Sequence, residues 1–216
     1  NDGDIDILAA AQEEGKVYWF ESDGAADPSF SATTITSSAD GIYSVYAKDL
    51  DNDGDLDILS ASFNDDKIAW YDNNGAANPT FTARTIATSA DGAASVFAAD
   101  LDGDGDQDVL SASLTDATVA WYENGLSAFG AHSFTAADIA TSADGATSVF
   151  AADMDNDGDM DIVSASYSDD AIAWYENNGA ADPSWTAADI ATSASGAYSV
   201  FAADMDSDGD MDILSA

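Results

Sequence analysis

The chain has 216 residues, and 46% of them are hydrophobic, so it is long enough and apolar enough to bury a core. It carries 42 Asp and Glu residues against 4 Lys and Arg, which gives a formal net charge of −38. Binding to nucleic acid phosphates requires Lys and Arg, so we expect no nucleic-acid partner. No apolar run reaches the about 18 residues of a membrane span, so we expect no membrane insertion. The lack of cysteine excludes disulfides and thiolate metal sites.

The sequence repeats itself at a step of about fifty residues, which is the period of blade-like repeats. Four tryptophans follow this step at intervals of 51, 51 and 53 residues, namely Trp19, Trp70, Trp121 and Trp174. Four Asp-rich segments keep the same step and begin at Asp49, Asp100, Asp153 and Asp204. We therefore divide the chain, as one array over 1–216, into repeats over 1–51, 52–102, 103–155 and 156–206, with a partial repeat over 207–216.

Each repeat contains four short runs with β-strand character. In one repeat they cover 95–99, 108–113, 118–122 and 134–136, and the Asp-rich segment lies between the first two runs. Asn-Gly pairs at 74–75, 124–125 and 178–179 predict turns between the third and fourth runs. Four strands in about fifty residues, repeated in tandem, are typical of a propeller blade. We predict an all-β fold, a β-propeller of tandem four-stranded antiparallel blades.

The first run of each repeat is rich in Ala and Ser. Small side chains suit strands that are crowded around a central axis, although compositional bias is an alternative explanation. The chain holds four full periods and a small overlap, because residues 1–6 match 52–57, the second half of an Asp-rich segment. Either it closes as a four-bladed ring, or it is a section of a longer protein; we favour the section.

The Asp-rich segments have the pattern of metal-binding loops. Carboxylates stand at positions 1, 3, 5, 7 and 9 of each segment, and Gly stands at position 6. A Gly with positive φ bends such a loop so that several oxygens surround one hard cation. The candidate metal residues are Asp49, Asp51, Asp53, Asp55, Asp57, Asp100, Asp102, Asp104, Asp106, Asp108, Asp153, Asp155, Asp157, Asp159, Asp161, Asp204, Asp206, Asp208, Asp210 and Asp212.

We predict one calcium ion in each complete loop. Positions 1, 3, 5 and 9 are expected to supply carboxylates and position 7 its backbone carbonyl. An all-oxygen site of high charge suits calcium, whereas zinc prefers Cys and His, and magnesium keeps most of its waters. The loops are not EF-hands, because position 12 is Ser and the flanks are strand-like. The alternative is a set of solvated acidic turns.

Two motifs together resemble a known family. The frame Ala-Ala-Asp-x-Asp-x-Asp-Gly-Asp-x-Asp, followed by a short apolar strand, covers 98–110. The motif Ala-Trp-Tyr-Glu-Asn-(Asn)-Gly stands at 120–125 and 173–179. They resemble the FG-GAP/VCBS repeat family along essentially the whole chain. The resemblance implies a β-propeller with calcium in the loop between the first two strands of a blade. It also implies a secreted or cell-surface protein.

The recurring aromatic residues have two interpretations. The Trp and Tyr side chains either form stacking platforms for sugars or pack between blades. Their fixed place in a strand favours packing, with the Tyr beside each Trp as the more exposed partner. His132, the one histidine, lies in an irregular segment over 125–134, where we expect a surface residue.

These features favour a calcium-stabilised structural or adhesive module of a secreted or cell-surface protein. Its expected partners are neighbouring repeats or copies of itself, with end-to-end assembly into a fibre, and other extracellular proteins or glycans. A carbohydrate-binding, lectin-like propeller is the alternative function. We expect no enzyme, because the scarcity of Lys, Arg and His leaves few groups to stabilise developing negative charge.

Overall fold

The computed structural model describes residues 3–126 and 132–216, which form seventeen strands in five antiparallel sheets. Part of the irregular segment over 125–134 lies outside the described residues. The one helical segment in the described ranges is a 3₁₀ turn at Gln12–Glu14. No helix in this part of the chain is long and apolar enough to cross a bilayer.

The sheets follow one another along the chain, and the strands of each sheet are consecutive in sequence. The first sheet contains β1 (Ile7–Ala11), β2 (Lys16–Ser22) and β3 (Phe30–Thr36). The second contains β4 (Ile42–Lys48), β5 (Asp57–Ser62), β6 (Lys67–Asn73) and β7 (Phe81–Ala87). The third contains β8 (Ala93–Ala99), β9 (Asp108–Ser113), β10 (Thr118–Leu126) and β11 (His132–Ala140). The fourth contains β12 (Ala146–Ala152), β13 (Asp161–Ser166), β14 (Ala171–Asn177) and β15 (Trp185–Ala191), and the fifth β16 (Val200–Ala203) and β17 (Asp212–Ser215).

The hydrophobic cores lie between consecutive sheets. One core joins Trp70 of the second sheet to Val96 and Tyr122 of the third, and the next joins Trp121 to Val149 of the fourth. Every residue of β5, β9 and β13 is buried, because each of these strands has a packed sheet on both faces. A strand buried on both faces has no need of polar alternation, which explains its Ile, Leu, Val, Ala and Ser sequence.

The first strands of consecutive sheets lie side by side. The Ser44 hydroxyl of β4 accepts a hydrogen bond from the Val96 amide of β8 at 3.4 Å. Ser95 and Ser148 repeat this bond with Val149 and Val200, at 3.4 and 3.2 Å. The small Ala and Ser side chains of these strands thus permit the close approach that the sequence predicts.

The all-β prediction, the four-stranded antiparallel sheets and the positions of the strands are confirmed. The sheets are offset from the sequence periods, since each complete sheet begins at the strand before its Asp-rich segment. The turn predicted at Asn124-Gly125 is wrong, because these residues extend β10 and pair with Phe134 and Ser133 of β11. In the longer third repeat, the pairing of β10 with β11 continues beyond the position at which β6 and β14 end.

Candidate metal centres

The Asp-rich segments all occupy the same place in the fold. They connect the first strand of a sheet to the second, namely β4 to β5, β8 to β9, β12 to β13 and β16 to β17. In each loop three carboxylates offer oxygens within 4.8 Å of one another. The triads are Asp49, Asp51 and Asp53; Asp100, Asp102 and Asp104; Asp153, Asp155 and Asp157; and Asp204, Asp206 and Asp212. Three clustered carboxylates can hold a hard cation.

Each loop is closed by a hydrogen bond between its first and sixth residues. The Gly54 amide donates to Oδ2 of Asp49 at 3.0 Å, and Gly105, Gly158 and Gly209 repeat the bond to Asp100, Asp153 and Asp204 at 3.0–3.1 Å. Gly54 has a φ of 95°, a conformation that side chains disfavour. No atom lies within 4 Å of a Cβ placed there, so backbone conformation is the reason for glycine at this position.

The loop backbone is also held by its own carboxylates. Oδ1 of Asp51 accepts the Asp53 amide at 3.3 Å, and Oδ1 of Asp53 accepts the Asp55 amide at 3.0 Å. The other three loops repeat both bonds. These bonds set the curvature of the loop and direct the carboxylates toward one point.

Asp49 provides the strongest sign that the donor set fits a cation. Its Oδ2 accepts the Gly54 amide, whereas its Oδ1 is buried and has no hydrogen-bond partner in the described residues. A buried carboxylate oxygen without a donor is costly. A metal ion held by the triad would satisfy this oxygen.

The Asp at position 9 fastens the loop to the third strand of its sheet. Oδ1 of Asp57 accepts the Asn73 amide at 2.7 Å, and Oδ2 accepts the Leu50 amide at 3.1 Å. Asp108 and Asp161 make the same pair of bonds. Burial raises the pKa of Asp57 to about 6 and that of Asp108 to about 7.

The ligand role predicted for position 9 stays a prediction. In the described residues Asp57, Asp108 and Asp161 lie outside the triads, whereas Asp212 belongs to one and still accepts the Met205 amide at 2.9 Å. Asp212 thus shows that one carboxylate at position 9 can accept a backbone amide of its loop and also belong to the carboxylate triad.

Two of the position 7 side chains, those of Asp55 and Asp159, lie against a turn glycine. The carboxylates of Asp55 and Asp159 lie where a Cβ at Gly75 or Gly179 would stand, which explains glycine in these Asn-Gly pairs. Burial, together with a hydrogen bond to Asp104, raises the pKa of Asp106 to about 7. The predicted role of position 7, a backbone carbonyl with its carboxylate as outer charge, stays a prediction.

A family model described as the FG-GAP-like repeat matches the chain four times, over residues 1–60, 49–111, 100–164 and 153–215. The chain belongs to this family. Each of the last three matches of the FG-GAP-like model begins at the first Asp of one loop and extends past the next loop. The resemblance found in the sequence is thereby confirmed.

Two solved structures are similar to this FG-GAP-like chain. One is an Agrocybe aegerita lectin, described for specific recognition of non-reducing terminal N-acetylglucosamine, with a TM-score of 0.61 and 18% identity over 98% of this chain and 60% of that one. The other is a Lactobacillus plantarum protein, with a TM-score of 0.53 and 15% identity over 85% of this chain and 51% of that one. The chain thus spans less than two thirds of either, and at these identities the likeness shows the fold alone. A comparison with curated proteins found no match.

The aromatic residues of the FG-GAP-like repeats form packing contacts. Trp70 and Trp121 are buried, which agrees with the favoured interpretation. The expectation of a more exposed Tyr is wrong, because Tyr71, Tyr122 and Tyr175 are buried too. Their hydroxyls lie 3.3–3.5 Å from serine hydroxyls of the neighbouring strand. The Tyr side chain alternates to the opposite face from Trp, and that face is covered by the preceding sheet.

Sequence analysis missed a set of asparagines that connect consecutive sheets. Asn124 donates to the carbonyls of Leu50 and Gln107, each at 3.0 Å, and so joins its own loop to the preceding one. Asn177 repeats the arrangement with Leu101 and Met160. The signal was the fixed place of Asn after Trp-Tyr-Glu in both repeats.

Proposed function

We propose that the chain is a calcium-stabilised β-propeller-like module of a secreted or cell-surface protein, with a structural or adhesive role. The observation that carries this proposal is the set of four carboxylate triads, one in each loop at the same place in the fold. Oxygen-only donors and a net charge of −38 favour calcium over softer metals. End-to-end assembly into a fibre stays a prediction.

The magnitude of calcium stabilisation supports a structural role for the ions. A site with a Kd of about 10 μM adds about 2.7 kcal/mol at about 1 mM free calcium. Four such sites contribute about 11 kcal/mol, comparable to the whole stability of a typical domain. Millimolar free calcium is found outside cells and in secretory compartments, and this supports an extracellular location.

Recognition of glycans is a second candidate function. It is favoured by the similarity in fold to a lectin described for recognition of N-acetylglucosamine. The partners that we propose are neighbouring repeats, copies of the chain, other extracellular proteins and glycans. We propose no enzymatic activity.

Titration calorimetry tests the proposal for calcium. We expect the calcium-depleted chain to bind about four calcium ions, and magnesium at the same concentration to give no comparable heat, because magnesium dehydrates reluctantly. Binding of no calcium, or equal binding of magnesium, would contradict the proposal and favour solvated acidic turns.

A further inference from the structure

A cavity of about 360 Å³ opens where the first strands of the second and third sheets end at the Asp-rich loops. Its lining includes Tyr46, Lys48, Phe97, Gln107 and Asp159. Tyr46 and Lys48 lie on the same face of β4 as Ser44, because side chains alternate along a strand. Ser44 bonds to β8, so this face is directed toward the third sheet. Pockets of a few hundred Å³ accommodate small ligands.

Four of the residues that line the cavity differ from the residues at the same positions of the other repeats. Tyr46 stands where the other repeats have Phe, and Lys48 stands where they have Ala. Gln107 replaces Leu or Met, and Gly103 replaces Asn or Ser. All four residues line the same cavity. The other repeats pack and form their loops with the common residues, so neither packing nor loop formation requires these four substitutions. We infer that the four residues serve a local function.

Gly103 removes a bridge between adjacent loops. At the same loop position Asn52 donates to the carbonyl of Gly105 at 3.2 Å, and Asn156 donates to that of Gly209 at 3.3 Å. Gly103 has no side chain to make this bond to the next loop, and no atom lies within 4 Å of a Cβ placed there. The space that a bridging Asn would occupy is left to the cavity.

Lys48 brings an unusual charge to the cavity. Three of the four Lys and Arg residues form ion pairs, Lys16 with Glu14, Lys67 with Asp65 and Arg84 with Asp72. Within the described residues Lys48 is the one cation without an ion pair or hydrogen bond. An ammonium group left without a carboxylate in so acidic a chain is suited to an anionic ligand.

The other residues that line the cavity offer a ligand an apolar surface and hydrogen-bonding groups in addition to the charge of Lys48. The rings of Tyr46 and Phe97 have centroids 4.7 Å apart and offer an apolar surface for one face of a ring. Asp159 lines the same cavity, and a carboxylate accepts hydrogen bonds from hydroxyl groups. Gln107 adds an amide that donates as well as accepts.

We propose that this cavity binds a carboxylated sugar ring, of the uronic acid class. The sugar carboxylate pairs with Lys48, the C–H face of the ring packs on Tyr46 and Phe97, and the hydroxyls donate to Asp159. This inference rests on the proposed glycan-binding function and deepens it, and calcium in the neighbouring loops would add to binding by offsetting the charge of the carboxylates near the site.

NMR titration of the 22.2 kDa chain with glucuronate, at saturating calcium, tests the inference. The amides of Gly103 and Gln107 report on the cavity. We expect saturable shifts with glucuronate, and binding at least tenfold weaker with glucose, which lacks the carboxylate, and with benzoate, which lacks the hydroxyls. No saturable shift with glucuronate up to tens of millimolar overturns the inference, and so does equal binding of glucose or benzoate.

Two variants localise the site with residues that the other repeats already use. Lys48→Ala installs the alanine of the other three repeats, and we expect glucuronate binding to weaken at least tenfold. Gly103→Asn, without a change of charge, rebuilds the bridge between loops and is expected to abolish binding. Lys67→Ala, which removes an ion-paired cation elsewhere, is the matched control and leaves binding unchanged. Equal weakening by Lys67→Ala and Lys48→Ala would overturn the inference.

Calcium stoichiometry measured on the same samples separates the two proposals. Four bound calcium ions without glucuronate binding overturn the cavity assignment and leave the calcium function standing. Glucuronate binding in a chain that binds no calcium overturns the calcium function and supports the cavity.

Discussion

At the scale of single residues, the five Asp positions of a loop have different surroundings. Position 1 closes the loop onto Gly54 and, in Asp49, keeps one buried oxygen without a donor. Position 9 is buried against two backbone amides, as in Asp57, while the position 7 side chain lies against a turn glycine. We therefore expect substitutions within one loop to differ in effect although each removes the same charge.

Asp49→Asn tests the first of these roles. The variant keeps a side-chain oxygen for the Gly54 amide but loses the negative charge of the triad. We expect the calcium stoichiometry to fall from about four to about three and stability at about 1 mM calcium to fall by about 2.7 kcal/mol. Titration calorimetry and urea unfolding measure the two effects.

Asp182→Asn is the matched control, because Asp182 is exposed and lies outside the loops. Its calcium stoichiometry should stay at about four. An Asp49→Asn chain that still binds four ions with unchanged affinity would remove Asp49 from the predicted ligands.

Sequence reasoning placed the loop carboxylates well and the aromatic residues less well. The loop frame is local, so the closeness of Asp49, Asp51 and Asp53 follows from their spacing. The burial of Tyr71 depends on a neighbouring sheet, which no local pattern reveals. His132 was expected at the surface, yet its ring lies 5.4 Å from that of Trp70 in the preceding sheet, again a contact between repeats.

At the scale of elements, the connection between consecutive sheets depends on buried asparagines as well as on apolar packing. The Asn124 side chain is 1% exposed and satisfies two carbonyls, one of them in the preceding loop. Its Oδ1 lies 2.9 Å from Nδ1 of His132. Removal of the amide leaves buried groups unsatisfied on both sides of the contact.

Asn124→Ala is therefore expected to destabilise the chain by about 2–4 kcal/mol, from unsatisfied carbonyls and a small cavity. Urea unfolding at saturating calcium measures the change without interference from metal loss. Asn64→Ala, which removes an exposed bond to Asp40, should cost no more than about 0.5 kcal/mol. Equal effects of the two substitutions would show that Asn124 does not fasten the sheets.

The strands could be predicted because their sequences recur and turn residues separate them. The prediction failed at Asn124-Gly125, because the dipeptide that lies in the loop of the second and fourth sheets continues a strand in the third. An Asn-Gly dipeptide by itself therefore does not decide where pairing stops. The connection of strands into separate antiparallel sheets agrees with the prediction because each hairpin is local.

At the scale of the whole molecule, charge is the central problem for folding. The four loops hold 20 of the 42 acidic residues, and each brings three carboxylates within 4.8 Å. Like charges at this separation repel one another, and water and salt screen them only in part. Calcium in each loop would convert this repulsion into attraction and make the fold depend on the ion.

Thermal unfolding in EGTA, and then with calcium or magnesium restored to about 1 mM, tests this dependence most directly. Because four sites contribute about 11 kcal/mol, we predict a rise in Tm of more than about 20 °C with calcium and a much smaller rise with magnesium. An unchanged Tm with calcium, or an equal rise with magnesium, would contradict the account and leave the loops as acidic turns.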